Sequence, residues 1–387
     1  MSNEPRHRKI LVISPTPTHP QTAGNRARIQ SLISGIQSQG HEVWFLHVEK
    51  ENGDRMAMQS HWGEHYINAR YHPPSYQFKK YFRKLKRKLG LPSAYAYQID
   101  DWYDRALDTV IRNLADKIDF DTVIIEYVFL SKALTCFGND VLKLIDTHDV
   151  FTNRHQRYLD QGERPNWFST TQREEARGLN RADAIIAIQN KEAEFFRSMT
   201  HRDVITVGHF VPSFPPQSDP QPGNRILFIG SDNAINVKAC EYLVKEIFPS
   251  VLAEFPQAEL AIGGRLCNVI EGQPGIVKLG ELDDLKPAYE SATIVVNPMP
   301  FGTGLKIKTI EALGYAKPLV TTPSGADGLD DGVDNAFIVA ATTEEFIQAI
   351  IDLLNSDITR QTLKHNAHQY AENWNRKCLF ELENLLS

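Results

Sequence analysis

The chain alternates short apolar runs with helical patterns along most of its length, and no other feature constrains its fold as strongly. The runs are apolar on both faces, as expected of strands that helices cover on both sides of a parallel sheet. In chain order they are KILVISP (9–15), EVWFLHV (42–48), TVIIEY (122–127), VLKLIDTHD (141–149), AIIAIQ (184–189), VITVG (204–208), RILFIG (225–230), AELAIGG (258–264), IVKLG (276–280), TIVVNP (293–298), KPLVTT (317–322) and AFIVA (336–340). The sequence therefore predicts an α/β protein with doubly wound parallel sheets.

The length of 387 residues exceeds what one core usually organises, so two domains are expected. The segment VPSFPPQSDPQPGN (211–224) has five prolines and no periodicity, which is typical of a linker. We predict a first domain over 1–212, a linker over 213–224, a second domain over 225–365, and helices over 366–387 that can return to the first domain. The two domains are expected to face each other across a cleft.

Composition excludes several classes of protein. A net charge of −6 disfavours nucleic acid as a general partner. The four cysteines form no CxxC pair, which indicates neither a zinc site nor a disulfide framework and suits a reducing, cytoplasmic setting. The N-terminal apolar run is too short for a signal peptide or a membrane span.

Ligands of open parallel sheets bind at the carboxyl ends of strands, so polar residues that follow strands are candidates. Gly24 ends the loop after the first strand and enters a helix, where bare backbone and a helix N-terminus suit an anion. His148, in DTHD (146–149), offers a hydrogen-bonding group whose charge is adjustable near neutral pH. Simple packing of His148 is the alternative. Glu126 ends its strand in an equivalent place and could point the same way, although a surface or capping role is favoured for it.

Two loops of the second half carry further candidates. In GSDNAINVKA (230–239), Gly230, Ser231, Asn233 and Asn236 offer a backbone approach and uncharged donors, although Asn and Ser also cap helices. The stretch GTGLKIKTIEAL (302–313) predicts a helix starting near Gly304, with Lys308 and Glu311 on one polar face.

The chemistry of the stretch 302–313 suits a nucleoside diphosphate. Backbone amides, the helix dipole and a lysine suit the diphosphate, and Glu311 suits the two hydroxyls of a ribose. The donor-binding set in this stretch is Gly302, Thr303, Gly304, Leu305, Lys306, Lys308 and Glu311. An ordinary exposed Lys–Glu pair, worth about 0.2 to 0.5 kcal/mol, is the alternative.

The run KKYFRKLKRK (79–88) is a basic amphipathic helix, in which Arg83, Lys84, Lys86 and Arg87 could receive a charged acceptor or lie on anionic lipid. A solvated helix face is the alternative. The D-x-D of Asp119 and Asp121 precedes its strand and lies at the wrong end of the sheet for a metal role. No GxGxxG follows the first strand, which disfavours a dinucleotide cofactor.

Four of these stretches together resemble the retaining glycosyltransferases of family 4: the Gly24 loop, FIGSDNAINVKACEYLVKEIFP, AELAIGG and VVNPMPFGTGLKIKTIEALGYAKPLVTTPSGADGL. The segments IDTHDVFTNRHQRY and RADAIIAIQ resemble the acceptor-side domain of bacterial polysaccharide-assembly members. The resemblance implies the GT-B fold of two Rossmann-like domains, a nucleotide sugar as co-substrate, a saccharide or lipid-linked acceptor, and no metal or other cofactor.

The resemblance also implies roles for single residues. Glu311 matches the second glutamate of the E-x7-E motif, which holds the ribose. Gly24 would approach the diphosphate, and His148 matches a histidine that contacts the donor sugar. The first glutamate of the motif is replaced by Thr303, and basic residues of many members are replaced near Ser231 and Asn236, so Lys306 and Lys308 must supply the charge for phosphate.

The expected activity is sugar transfer with retention of anomeric configuration, in polysaccharide or glycoconjugate biosynthesis, in the cytoplasm or peripherally on the inner face of the membrane. A nucleotide-sugar 2-epimerase of the same fold, which needs no acceptor, is one alternative. A nucleotide-sugar-binding protein without turnover is the other, since Thr303 replaces a glutamate of the motif.

Overall fold

The computed structural model of the protein describes residues 7–21, 23–73, 77–165, 167–219, 223–301 and 304–387, with residues 77–80 described by their backbone alone. The chain divides into two compact units. Unit 1 comprises Met1–His19, Ile33–Val207 and Glu381–Ser387, and unit 2 comprises Pro20–Leu32 and Gly208–Phe380. The two long terminal helices each contribute residues to both units.

Among the described residues, unit 1 contains a sheet of seven parallel strands in the order β3-β2-β1-β4-β5-β6-β7. The strands are β1 Lys9–Ser14, β2 Glu42–Val48, β3 Tyr66–Ala69, β4 Thr122–Glu126, β5 Leu142–Asp146, β6 Ala184–Ala187 and β7 Asp203–Thr206. The helices are α1 Gly24–Ser38, shared with unit 2, and α2 Arg55–Trp62, α3 Gln77–Lys88, α4 Ala106–Ala115, α5 Arg154–Asp160, α6 Gln172–Leu179 and α7 Asn190–Arg197.

The described part of unit 2 contains a sheet of six parallel strands in the order β10-β9-β8-β11-β12-β13. The strands are β8 Arg225–Ile229, β9 Glu259–Gly263, β10 Ile276–Gly280, β11 Ile294–Asn297, β12 Leu319–Thr321 and β13 Ile338–Val339. The helices are α8 Ala234–Tyr242, α9 Phe248–Glu254, α10 Lys286–Ser291, α11 Ile307–Gly314, α12 Thr343–Asn355 and α13 Asp357–Leu386, which ends in unit 1.

The central strands explain why the prediction of parallel sheets is confirmed. Every residue of β4 is buried, as are all four residues of β6 and of β11, so neither face of these strands is exposed to solvent. Helices must therefore cover both sides of each sheet, which is the doubly wound arrangement. The strand orders change direction at β1 and β4 in unit 1 and at β8 and β11 in unit 2, where ligands of such sheets bind.

The sequence patterns missed β3 because it is short and lies at the edge of its sheet. Three of its four residues are only partly buried, so it lacks the continuous apolar run of the central strands. Within the ranges that the structure covers, no helix is both long enough and apolar enough to cross a bilayer.

Candidate functional site

The loop between β8 and α8 is held by a hydrogen-bonded cluster of uncharged side chains. Asn233 caps α8, since its side chain accepts a hydrogen bond from the backbone N–H of Asn236 at 2.9 Å. The Nδ2 of Asn236 donates to the Oγ of Ser231 at 2.9 Å and to the Ser231 carbonyl at 3.1 Å. The capping role that the sequence allowed for these residues is therefore real, and it leaves the Oδ1 of Asn236 to face a different partner.

The helix α11 begins at Ile307, three residues later than the start near Gly304 that the pattern predicts. Gly304 has a φ of 79°, a left-handed conformation that a helix cannot include and that glycine adopts readily. Lys306 occupies the N-cap position, and its Nζ donates to the Gly304 carbonyl at 2.7 Å. Leu305 is buried. Gly302 and Thr303 lie outside the described residues.

Lys308 is the partner of Asn236. Its Nζ donates to the Oδ1 of Asn236 at 2.6 Å and lies 5.1 Å from the centre of the Phe228 ring. Burial, and to a lesser degree the neighbouring Lys306 ammonium, lower the pKa of Lys308 to about 7 against the opposing effects of Glu311 and Cys240. The site therefore presents a poorly hydrated cation with donors to spare, since an ammonium has three N–H groups.

Glu311 lies one turn further along α11 and is also poorly hydrated. Burial raises the pKa of its carboxyl to about 7, even though the nearby Lys308 acts in the opposite direction. In the described part of the chain no side chain or backbone group forms a hydrogen bond with this carboxylate. A ligand that brings hydroxyl donors would supply what the protein does not.

Two glycines shape the backbone around α11 and α8. A Cβ at Gly24 would lie 3.3 Å from the Cδ1 of Ile307, so the start of α1 approaches the start of α11 closely within unit 2. Gly264, which follows β9, has a φ of 89°, and a Cβ there would overlap the carbonyl oxygen of Gly230. A side chain at position 264 would therefore displace the Gly230 backbone from its position after β8.

In unit 1 the structure places His148 directly after β5 in a buried acidic setting. Its Nε2 donates to the Oε2 of Glu126 at 2.6 Å and lies 3.6 Å from the Oδ2 of Asp146. Its ring stacks on Tyr127 with 4.1 Å between ring centroids. The backbone of His148 has a φ of 61°, an unusual conformation for a residue with a side chain. The expectation that Glu126 is a surface or capping residue is wrong, because Glu126 is fully buried against His148.

Three buried residues at the carboxyl ends of β4 and β5 could together hold a metal ion. Glu126, Asp146 and His148 each offer one ligand atom, and these atoms lie within 4.8 Å of one another. The 2.6 Å separation of Nε2 and Oε2 is that of a charge-assisted hydrogen bond. Asp121, part of the D-x-D, accepts a hydrogen bond from the backbone N–H of Lys9 at 2.9 Å, where β1 begins. It therefore lies at the amino end of the sheet, away from the ligand edge.

The basic helix α3 divides into anchored and solvated residues. Arg83 forms an ion pair with Asp101 and stacks over the Tyr97 ring at 4.0 Å, so it is partly used inside unit 1. Arg87 lies 5.0 Å from the Tyr95 ring. Lys84 and Lys86 are exposed, as are several large apolar side chains of the same segment: Tyr81, Phe82, Leu85, Leu89 and Leu91.

The sequence patterns missed Phe228 and Gly264 near these sites. Phe228 belongs to an apolar strand run, and nothing in such a run tells which of its members lies beside a candidate residue. Gly264 was visible as the last glycine of AIGG (261–264), a glycine pair after a strand, which is a signal for close backbone approach.

Two doubly wound units, with an amide, a lysine and a glutamate gathered after β8 and β11 in the second, define the GT-B architecture. Residues 223–356 match the family model described as "Glycosyl transferases group 1". An "Uncharacterized 44.6 kDa protein in cps region" of Klebsiella pneumoniae is 22% identical over 169 residues. That match covers 40% of this chain and 44% of the relative, so the chain spans less than half of the relative's length.

Solved structures are similar over nearly the whole chain. A mutant of TarM from S. aureus, in complex with Fondaparinux, alpha-GlcNAc-glycerol and UDP, has a TM-score of 0.67 at 11% identity, covering 98% of this chain and 100% of that one. The pneumococcal O-GlcNAc transferase GtfA, in complex with UDP and GlcNAc, has a TM-score of 0.67 at 10% identity, covering 98% and 99%. Anabaena Alr3699/HepE, in complex with UDP and glucose, has a TM-score of 0.59 at 14% identity, covering 97% and 99%. These similarities establish the GT-B fold.

Proposed function

We propose that the protein is a retaining glycosyltransferase of family 4 that moves a sugar from a nucleoside diphosphate sugar to a saccharide or lipid-linked acceptor. The observation that carries the proposal is the contact between Lys308 and Asn236, which brings a poorly hydrated cation to the ligand edge of the unit 2 sheet. The group 1 match over 223–356 and the UDP complexes of the similar structures support it.

The donor is held by unit 2 in this proposal. The diphosphate lies against Lys308 and Lys306 and the backbone at Gly304, Gly24 and Gly230, and the carboxylate of Glu311 accepts hydrogen bonds from the ribose hydroxyls. Ser231, Asn233 and Asn236 keep the α8 loop in place, and Asn236 also orients Lys308. No metal is required, because lysine and backbone donors supply the positive potential that a divalent cation supplies in other classes.

The proposed reaction breaks the bond between the anomeric carbon and the diphosphate oxygen on one face of the sugar. The acceptor hydroxyl attacks the anomeric carbon from the same face, and its proton passes to the departing diphosphate oxygen. The configuration is therefore retained. Lys308 stabilises the charge that develops on the leaving group, and a single donor of this kind is typically worth about 3 to 4 kcal/mol.

His148 is proposed to contact the donor sugar, as the family resemblance implies. Glu126 accepts a hydrogen bond from the Nε2 of His148, and the carboxylate of Asp146 lies 3.6 Å from the same nitrogen. The two carboxylates together fix the orientation of the imidazole. The left-handed backbone at His148 is a strained arrangement that persists only where the surroundings require it. This setting supports a functional role for His148 over the simple packing that the sequence also allowed.

We propose polysaccharide or glycoconjugate biosynthesis, with the protein in the cytoplasm and peripherally bound to the inner face of the membrane through α3. The exposed Lys84 and Lys86 and the exposed apolar side chains of the same helix suit an anionic lipid surface.

The test is a transfer assay with UDP- and GDP-linked sugars, with and without saccharide and lipid-linked acceptors. Release of nucleoside diphosphate that requires acceptor, insensitivity to EDTA, and a product with the donor's anomeric configuration by NMR are expected. Isomerised donor without acceptor would indicate a 2-epimerase instead. Nucleotide binding without any turnover would indicate the non-catalytic alternative.

A further inference from the structure

Lys50 in unit 1 is a cation surrounded by aromatic rings. Its Nζ lies 3.8 Å from the ring centre of Trp102, 5.1 Å from that of Tyr71 and 5.7 Å from that of Trp167. Among the described residues no hydrogen-bond acceptor or carboxylate lies within bonding distance of this ammonium. Burial lowers the pKa of Lys50, and only the neighbouring Glu51 acts in the opposite direction.

This cluster, which we call the Lys50 cage, lies at the ligand edge of the unit 1 sheet. Lys50 comes two residues after the end of β2, and the next residue, Glu51, donates its backbone N–H to the Pro15 carbonyl just beyond β1, at 3.1 Å. β1 and β2 are parallel neighbours, so both of these loops emerge at the carboxyl edge. This is the edge where ligands of parallel sheets bind.

A row of rings connects the Lys50 cage to His148. The centroid of Trp167 lies 5.5 Å from that of Trp102 and 6.5 Å from that of Tyr127, and Tyr127 stacks on His148. The residue proposed to contact the donor sugar and the Lys50 cage therefore belong to one continuous cluster of packed rings within unit 1, of which Tyr127 and His148 are the buried members.

The three rings of the cage are half-buried, so each has a face or edge that a ligand can reach. Aromatic faces offer large rigid contact area to the apolar face of a sugar ring. A partly dehydrated ammonium is costly unless it is paired, and ring faces compensate for only part of that cost. The cage thus combines a platform for a sugar with an unpaired positive charge, which favours a sugar that carries an anion.

We propose that the Lys50 cage binds the acceptor, and that this acceptor is an anionic saccharide whose sugar ring stacks on Trp102 or Trp167 while its charged group contacts Lys50. That the bound saccharide is the acceptor depends on the proposed function, whereas the binding itself depends only on the geometry of the Lys50 cage. The anionic group is either the carboxylate of a uronic acid or the phosphate of a phosphate-linked sugar, both of which pair with an ammonium.

The experiment measures binding without any nucleotide, by tryptophan fluorescence and saturation-transfer NMR on the full chain. The probes are a glucuronic-acid disaccharide, its uncharged methyl ester, and glucose 1-phosphate with glucose as its uncharged counterpart. We expect at least one anionic probe to bind about tenfold more tightly than its uncharged counterpart, and the probe that does so identifies the carboxylate or the phosphate as the source of charge.

The variants are Lys50→Met, which keeps the apolar stem, Lys50→Arg, which keeps the charge, and Lys117→Met as a control, since Lys117 is exposed in the same unit. The preference for the anion should disappear in Lys50→Met and persist in the other two. Equal affinities of charged and uncharged probes for the wild-type protein, or an unchanged preference in Lys50→Met, would overturn the proposal. Thermal shifts with UDP and acceptor-dependent UDP release are recorded separately. They test the proposed transferase function, whereas the saccharide titrations test the Lys50 cage, so failure of one proposal is distinguished from failure of the other.

Discussion

The Oδ1 of Asn236 accepts a hydrogen bond from the Nζ of Lys308 at 2.6 Å, and this contact joins the helix after β8 to the helix after β11. The two strands are neighbours in the sheet of unit 2, although 64 residues of the chain lie between Ile229 at the end of β8 and Ile294 at the start of β11. The contact therefore depends on the parallel pairing of these strands. It holds the ammonium of Lys308 in a position that the pairing of the two strands determines, although the lysine side chain itself is flexible.

Lys308→Met should weaken nucleoside diphosphate binding by roughly 10- to 100-fold, the range expected when a hydrogen bond between charged groups is lost. Isothermal titration with UDP and GDP measures this. Lys245→Met is the control, because Lys245 is exposed and pairs with Glu241, and exposed pairs of this kind contribute little. Equal affinities of both variants for the nucleotide would contradict the role of Lys308.

The affinity for the diphosphate should fall as pH rises through about 7, because the pKa of Lys308 is lowered to that range and only the protonated ammonium attracts the phosphate. Titrations between pH 6 and pH 9 check the direction. The decline should be absent in Lys308→Met. A rise in affinity over the same range would mean that ionisation of Glu311 dominates instead.

Glu311→Gln should raise the melting temperature of the ligand-free protein at pH 8 and lower its affinity for nucleotide. The pKa of Glu311 is raised from its usual 4.5 to about 7, so its stabilising contribution is fully present below pH 4.5 and is lost as pH rises through 7. The gain of the variant over the wild type should therefore shrink toward pH 4.5. Calorimetry at pH 4.5, 6 and 8 measures it, and a constant difference would show that burial of this carboxylate is not the cause.

The sequence predicts most of this fold because its strands are buried on both sides and so appear as continuous apolar runs. It predicts the candidate residues that follow those strands for the same reason, as at His148 and Lys308. It could not predict that Glu126, inside such a run, contacts His148, since that contact depends on the register of β4 against β5. Nor could it place the start of α11, which depends on the left-handed conformation of Gly304.

His148→Asn should reduce the transfer rate by about 10²-fold, because His148 is proposed to position the donor sugar. The affinity for UDP should stay unchanged, since the proposed nucleotide ligands belong to unit 2. Asparagine tolerates the positive φ of this position better than most residues, so loss of the side chain is separated from backbone strain. Single-turnover rates and UDP titrations measure the two effects. A parallel loss of nucleotide affinity would contradict the assignment of His148 to the sugar.

Removing two charges from α3 should release the protein from anionic vesicles without changing its fold. Lys84 and Lys86 are exposed, and a basic residue near an anionic surface contributes about 1 kcal/mol, so Lys84→Gln with Lys86→Gln should lower partitioning roughly 30-fold. Arg83 is left unchanged because its pair with Asp101 holds α3 to unit 1. Cosedimentation with phosphatidylserine vesicles measures the effect, with Lys117→Gln and Lys245→Gln as a control of equal charge. Salt screens the attraction between charges but does not weaken apolar contact. High salt should therefore reduce the vesicle retention of the wild type, and it should reduce the retention of the double variant by less. Retention of the double variant equal to that of the control would show that α3 does not bind the membrane through its lysines.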